Sequence, residues 1–307
     1  QAGVLTDGNH SRARIREITG GSIRKQLRKE KVVIVAGFQG LDDEGDLTTF
    51  GRGGSDLSAI AMAGALKAKT CQIFTDVEGV FTADPRIVPD ARKIPAISYE
   101  EMLELASSGS KVMQTRAVEF AQKHNVSFEV RSTFTTKTGT TVKKKVKSLE
   151  DTLVSGVAID NNQVRVSVTE LPDRPGAAAG VFKVMADTGV VVDMIVQNTS
   201  DHGVTDISFT VPHDEMDRCL ALVGELVAEL GAAGVSSDTG IARVSVIGAG
   251  MRTNPGVAAS MFETLSDLGI NIQMISTSAI RVSCMVDADR VEEAVQALHG
   301  AFGLAEV

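Results

Sequence analysis

Phe50-Gly51-Arg52-Gly53-Gly54-Ser55-Asp56 is a glycine-rich turn with one fixed cation, one hydroxyl and one carboxylate. Clustered glycines let backbone N–H groups approach an anion with no Cβ in the way. Arg52 offers a planar fork of donors suited to a carboxylate or phosphate. From Ser55 to Ala68 the chain places Leu57, Ile60, Ala61, Ala63, Ala65 and Leu66 at helical spacing. The turn therefore opens a helix, with Ser55 or Asp56 expected near its N-cap. The apolar run Cys71-Gln72-Ile73-Phe74 then reads as a buried strand. It leads straight into Thr75-Asp76-Val77-Glu78-Gly79-Val80-Phe81-Thr82-Ala83-Asp84-Pro85-Arg86. Polar residues just past a strand end are where α/β folds place ligands.

Around this pair the first half alternates strand and helix. Residues 31–38, Lys-Val-Val-Ile-Val-Ala-Gly-Phe, read as a buried β-branched strand. Helices are expected near 99–107 and 113–124, and a strand near 126–131. Alternation of this kind implies an α/β layered domain. Residues 135–148, rich in Thr, Lys and Gly, read as a connector, with Lys143, Lys144, Lys145 and Lys147 on a solvated face.

The chain has 307 residues, 43% of them apolar and 23% charged, enough for two or three packed domains. No apolar run has membrane-spanning length, and residues 1–7 are not a signal peptide. They include no Met and read as the interior of a domain. Cys71, Cys219 and Cys284 stand singly, which suits reduced thiols and a cytoplasmic protein. The five histidines show no HxH or HExxH spacing, so no metal site is expected. Residues 1–150 carry 23 Lys/Arg against 18 Asp/Glu, and residues 151–307 carry 8 against 21. A basic first half suits an anionic substrate such as a nucleotide. The acidic second half argues against nucleic acid.

The second half contains an internal repeat. Val166-Ser167-Val168 precedes Asp173-Arg174-Pro175-Gly176-Ala177-Ala178, and Val244-Ser245-Val246 precedes Thr253-Asn254-Pro255-Gly256-Val257-Ala258. Phe182 matches Phe262, and Met194 matches Met274. Each copy reads strand, Pro-Gly turn, helix, strand (190–196 and 270–276), strand, helix, a ferredoxin-like βαββαβ unit. Val244 to Gly250 mimics the start of a dinucleotide fingerprint. Thr253 stands where its third glycine belongs, and the repeat accounts for the segment better.

The two opening motifs together resemble the amino-acid kinase superfamily and, within it, the aspartate kinases. The repeated strand–Pro-Gly–helix unit resembles ACT domains, small-molecule sensors commonly of amino acids. The resemblance implies part of a three-layer αβα kinase domain (1–140), a linker (141–153) and two ferredoxin-like ACT regions (154–235 and 236–307). Family architecture places the strand at 154–159 in the second ACT unit.

Aspartate kinases move the γ-phosphoryl of ATP, with Mg²⁺, to the side-chain carboxylate of L-aspartate. The protein's task is positioning and stabilising negative charge. By the resemblance Arg52, Gly53, Gly54 and Ser55 hold aspartate, and Asp56 organises the turn and the transferring group. Thr75, Asp76, Phe81, Asp84 and Arg86 contact the nucleotide. Phe81 stands where the family usually has tyrosine. Ser107-Ser108-Gly109-Ser110-Lys111-Val112 resembles the family's Ser-Gly-Ala-Lys-Val element, which adds Lys111 and Val112 to the nucleotide set.

For the ACT pair the resemblance implies lysine, threonine or both as effectors, and homodimerisation through ACT sheets. Asp173, Gly176, Ala177 and Ala178 frame a helix N-terminus that suits an effector carboxylate. Asp193, Gln197, Asn271, Gln273 and Thr277 complete the set. Ala279 replaces the usual glutamate, which leaves the choice of effector open.

The family's Lys-Phe-Gly-Gly element does not occur here. By family comparison roughly a hundred residues of the kinase domain are expected to be missing ahead of Gln1. The chain alone is then expected to phosphorylate aspartate poorly, and to show exposed sheet edge and core. Two alternatives stay open: a non-enzymatic amino-acid-sensing regulatory chain, and a kinase with a different acceptor.

Overall fold

The computed structural model describes residues 2–110, 112–146, 153–199 and 203–306. They divide into two compact units. The first takes in residues 1–158, 247–255 and 299–307, and the second residues 159–246 and 256–298.

The first unit opens with β1 (Val4–Thr6), β2 (Ile15–Ile18), helix α1 (Gly21–Leu27), β3 (Gln39–Leu41) and β4 (Leu47–Thr49). These strands form a sheet in the order β2-β1-β3-β4. Then come α2 (Gly54–Leu66), β5 (Gln72–Thr75), β6 (Ala96–Ser98), α3 (Tyr99–Ser107), α4 (Thr115–His124), β7 (Phe128–Ser132) and β8 (Thr140–Lys143). The second sheet runs β5-β7-β8-β6, parallel at β5/β7 and β6/β8 and antiparallel at β7/β8. α2, α3 and α4 bury Leu57, Ile60, Met102, Leu105, Ala117 and Val118 against Ile73, Ile97, Phe128, Val130 and Val142. α3 begins cleanly because Ser98 and Glu101 form a reciprocal capping box.

Three local expectations are corrected here. Residues 31–38 join no ladder among the described residues, and Val32 and Ile34 are 93% and 94% exposed. Their β-branched pattern suits a strand, but a strand needs a hydrogen-bonded neighbour. Instead Val33, Ile34 and Val35 line an apolar cavity of about 490 Å³ with Val4, Ile23 and Leu41. The cap of α2 is Gly53 at φ 73°, ahead of Ser55 and Asp56, because that left-handed conformation favours a residue without Cβ. Finally, Thr140–Lys143 is a strand rather than connector. Thr140 and Val142 are fully buried while Thr141 and Lys143 alternate outward, a period of two that the lysine run obscures. The later linker residues 147–152 lie outside the described residues.

β9 (Gly156–Asp160) runs across the boundary of the two units. The first repeat copy is β10 (Val164–Pro172), α5 (Ala177–Thr188), β11 (Ile195–Thr199), β12 (Val204–Val211), α6 (Met216–Leu230) and β13 (Gly234–Asp238). Its sheet runs β11-β12-β10-β13, all antiparallel. The second copy is β14 (Ile241–Ile247), α7 (Gly256–Asp267), β15 (Met274–Thr277), β16 (Arg281–Asp287) and α8 (Val291–Ala301). Its sheet runs β15-β16-β14-β9, so β9 takes the place beside β14 that β13 takes beside β10. Both are ferredoxin-like. β11 and β15 start later than the apolar runs suggest. The N–H groups of Val190 and Ile270 are used on Met185 O and Leu265 O to close the preceding helices, so neither enters a ladder. Among the described residues no helix is long and apolar enough to cross a membrane.

Candidate active and effector sites

The turn before α2 is held by its glycines. Gly51 and Gly53 sit at φ 79° and 73°, and a Cβ on Gly54 would lie 2.7 Å from that of Phe50. Arg52 and Ser55 are exposed, and Asp56 is half-buried. Burial pushes the Asp56 carboxyl above its ordinary range, and the N–H of Gln114, at 3.4 Å, opposes the shift. This is a cation and a hydroxyl facing solvent at a helix N-terminus, with a reluctant carboxylate behind them. Such a surface can take up a carboxylate ligand.

At the end of β5, Thr75 donates its hydroxyl to Asp76 at 3.0 Å. Beyond it Asp84 and Arg86 pair with each other: Nη2 of Arg86 reaches Asp84 at 2.6 Å, and the Arg86 N–H reaches it at 2.9 Å. The Arg86 guanidinium holds the Asp84 carboxyl below its usual range. A phosphate arriving at Arg86 competes with Asp84 for the same fork. Phe81 makes a lone antiparallel bridge to Lys93, which pins the loop back on itself. Val112 packs on the first unit's core, and Lys111 lies outside the described residues.

Sequence reasoning passed over Thr82, the hub of this loop. Its N–H donates to Arg92 O, its hydroxyl accepts from the Arg92 N–H at 2.9 Å, and its carbonyl accepts from Val157. The same hydroxyl lies 2.9 Å from Nε2 of His299, which is 2% exposed. The partner is 217 residues away, so no local pattern announces it. Burial lowers the His299 pKa from its ordinary 6.5, and Asp90 opposes weakly. A lowered folded pKa means that the neutral ring contributes stability above about pH 6.5, and that this is lost as pH falls. Thermal midpoints of the first unit should therefore drop as pH falls below about 6.5. His299→Gln, which keeps a hydrogen-bonding side chain without the titration, should flatten that drop. Parallel pH curves for the two proteins would refute the assignment.

Gln114 and Arg116, also missed, reach the glycine turn from the start of α4. The Gln114 amide donates to Arg52 O at 2.9 Å, and Arg116 donates to Phe50 O at 3.1 Å and Ala13 O at 2.8 Å. Only their position just after Val112 could have drawn attention to them.

In the second unit Asp173 and Gly176 are exposed ahead of α5, whose cap Gly176 sits at φ 96° without a side-chain cap, and Ala177 and Ala178 form its first turn. Gln197 is exposed on the edge strand β11, and Asn271 and Thr277 are exposed around β15. Asp193 and Gln273 are engaged across the repeat. Asp193 pairs with Arg243, which also reaches Asp160 at 3.2 Å. Gln273 accepts from Arg165 at 2.9 Å and donates to Asp287 at 2.6 Å, while Arg165 pairs with Asp238 at 2.8 Å. The repeat register relates these clusters: Arg165 corresponds to Arg243, Asp160 to Asp238 and Asp193 to Gln273. Asp193 still keeps a third of its side chain exposed.

Comparison with known proteins bears on this arrangement. The profile of the Amino acid kinase family matches residues 1–132, and ACT domain profiles match residues 164–218 and 244–302. An aspartokinase of Mycolicibacterium smegmatis is 48% identical over 309 residues, spanning 99% of this chain and 73% of that protein. An aspartate kinase of Pseudomonas putida is 47% identical over 305 residues, spanning 99% and 74%. Among solved structures, E. coli aspartokinase III in complex with aspartate and ADP is 30% identical with a TM-score of 0.81, covering 98% of this chain and 68% of that one. Sequence, fold and domain order agree, and the chain belongs to the aspartokinase family.

Proposed function

We propose that this chain carries the acceptor and nucleotide elements of an ATP-dependent kinase acting on the side-chain carboxylate of L-aspartate, joined to an amino-acid sensor. The observation that carries the reading is the acceptor turn. Two left-handed glycines bring Arg52 and Ser55 to solvent at the start of α2, within one unit that also holds Thr75–Arg86. Arg52 and Ser55 bind the aspartate carboxylates, with Gly53 and Gly54 keeping the approach open. Asp56 orders the turn. Thr75, Asp76, Phe81, Asp84, Arg86, Lys111 and Val112 receive the nucleotide. Mg²⁺ enters as MgATP, on phosphate oxygens. That fits residues whose carboxylates are otherwise held, Asp84 by Arg86 and Asp56 by burial. The related E. coli enzyme was solved with aspartate and ADP, and also with lysine and aspartate.

The sensor reading assigns lysine or threonine to the ACT pair. The effector carboxylate sits at the start of α5 by Asp173, Gly176, Ala177 and Ala178. Its ammonium and side chain are taken by Asp193, Gln197, Asn271, Gln273 and Thr277. A second copy of the chain docks on the sheet edges. Ile195 on β11 and Ile275 on β15 hold equivalent repeat positions and are 52% and 45% exposed, and apolar edge strands call for a partner. A cytoplasmic location suits reduced, buried thiols.

Calorimetric titration of the chain with L-aspartate and with ADP tests this directly. Binding is expected in the micromolar-to-millimolar range, roughly −8 to −4 kcal/mol. Arg52→Ala should weaken aspartate by about tenfold or more and leave ADP unchanged. Equal aspartate affinity in Arg52→Ala would remove the acceptor assignment.

A further inference from the structure

Two residues that belong to neither proposed substrate set hold the acceptor turn from behind. Arg116 spreads its guanidinium over two carbonyls from different segments, Phe50 O at 3.1 Å and Ala13 O at 2.8 Å. Gln114 donates its side-chain amide to Arg52 O at 2.9 Å and its backbone N–H toward Asp56 at 3.4 Å. Its Cβ also closes the space beside Gly53, where an added Cβ would lie 3.0 Å away. Between them they engage the carbonyls of residues 50 and 52, the flank of Gly53 and the carboxylate of Asp56.

Peptide planarity turns these contacts into a statement about the front of the turn. A trans peptide points its C=O and the next N–H in opposite directions. Fixing Phe50 O and Arg52 O toward α4 therefore aims the N–H groups of Gly51 and Gly53 away from it. Glycine alone does not select that orientation, because a left-handed glycine pivots at little cost. The choice needs acceptor-side partners, and the described contacts supply them from Gln114 and Arg116. The guanidinium matters for more than its charge, because a lysine ammonium lacks the fork that bridges two carbonyls.

We infer that Gln114 and Arg116 are positioning residues that set the turn's N–H groups and the Asp56 carboxylate for the amino-acid acceptor, without touching it. The inference rests on the acceptor reading of residues 50–56. Gln114 lies two residues beyond Val112, with the buried Met113 between them. The brace thus starts where the proposed nucleotide element ends, and acceptor geometry is set by the chain that carries the nucleotide contacts.

The test uses the whole chain and two near-isosteric variants, Gln114→Met and Arg116→Lys. Each is titrated with L-aspartate and with ADP, and each is melted. Gln114→Met keeps the bulk and loses the donor. It should weaken aspartate about tenfold, because binding must then order the Arg52 carbonyl that the amide holds in place. ADP affinity should stay within about twofold while aspartate affinity falls, a split that a merely structural role would not produce. Arg116→Lys should show the same split, and it decides the matter if Gln114→Met fails to fold. Aspartate affinity within twofold of wild type in both variants overturns the inference alone. A wild-type chain that binds ADP but no aspartate overturns the acceptor reading, and the inference with it.

Discussion

Replacing Arg243 with alanine should cost the second unit about 3–5 kcal/mol, the usual result of stripping one partner from a buried ion cluster. Arg243 is the largest fully buried side chain among the described residues, with 1% of it exposed. It sits on β14 and holds Asp160 of β9 and Asp193, the residue that precedes Met194. Asp160 is 17% exposed and Asp193 35%, so Asp160 has less water to turn to once the guanidinium is gone. Removing the cation leaves that carboxylate uncompensated, and this penalty exceeds anything gained by relieving the arginine of its own burial.

Three comparisons make the estimate falsifiable. Arg165, the repeat counterpart, is 28% exposed, so Arg165→Ala should cost clearly less. Arg290 pairs with Glu293 at the protein surface and also donates to Leu268 O at 3.1 Å, and Arg290→Ala should cost no more than about 1 kcal/mol. The triple replacement of Arg243, Asp160 and Asp193 by apolar residues of similar volume should recover much of the loss, because the desolvation cost disappears with the charges. Urea unfolding followed by amide exchange along β14 reads all four. If Arg243→Ala costs no more than Arg165→Ala, burial is not what gives this cluster its weight. If the triple variant is no better than the single one, the cluster's value lies in geometry rather than in charge balance.

What was legible in the sequence had a local cause. The turn at 50–56 shows itself because left-handed backbone needs glycine, and the helix that follows because its apolar spacing is local. The Pro-Gly repeat shows itself because two copies of one unit must bury equivalent faces. Residues 31–38 misled because β-branched alternation reports that a strand is possible and says nothing of whether a neighbour is there to pair with it. β8 was hidden for the opposite reason: Lys143 to Lys145 look like a solvated connector, yet Thr140 and Val142 alternate inward just ahead of them. The contacts that hold the candidate site were the least legible. Thr82 meets His299, Gln114 meets Arg52, and Asp193 meets Arg243, each across a sequence separation of 50 residues or more. Such pairs follow from the fold, and one sequence does not encode them as a pattern. The repeat could have suggested one of them, since Arg165 and Arg243 stand at matched positions in matched strands.

Gly139→Ala should destabilise the first unit by about 3 kcal/mol, the upper end for overpacking, and should loosen the proposed nucleotide loop with it. A Cβ at this position would lie 1.9 Å from Val130 O and 2.7 Å from the Cβ of Arg131. Both belong to β7, paired through its neighbours on either side, so the backbone at 139 must move rather than the obstacle. That motion passes to Thr140, whose hydroxyl accepts from the Val80 N–H at 2.8 Å and donates to Ile94 O at 2.6 Å. Thr140 thus fastens both ends of the segment that contains Phe81, Thr82, Asp84 and Arg86. It also crowds Gly79, where a Cβ would lie 2.6 Å from the same hydroxyl, so the loop has little room to follow a displaced threonine. The Gly139 N–H additionally donates to Glu129 at 2.8 Å, and this is the main cause of that carboxyl's lowered pKa. Pulling the donor away removes a charge-assisted bond as well as a fit. The expected result is a lower melting midpoint together with an ADP affinity reduced by about tenfold, while β10 and β12 exchange their amides as in wild type. Gly8→Ala is the control, since nothing lies within 4 Å of a Cβ there. If Gly139→Ala melts with wild type, the packing argument fails. If it melts early yet binds ADP normally, Thr140 is structural and residues 79–94 do not form the nucleotide site.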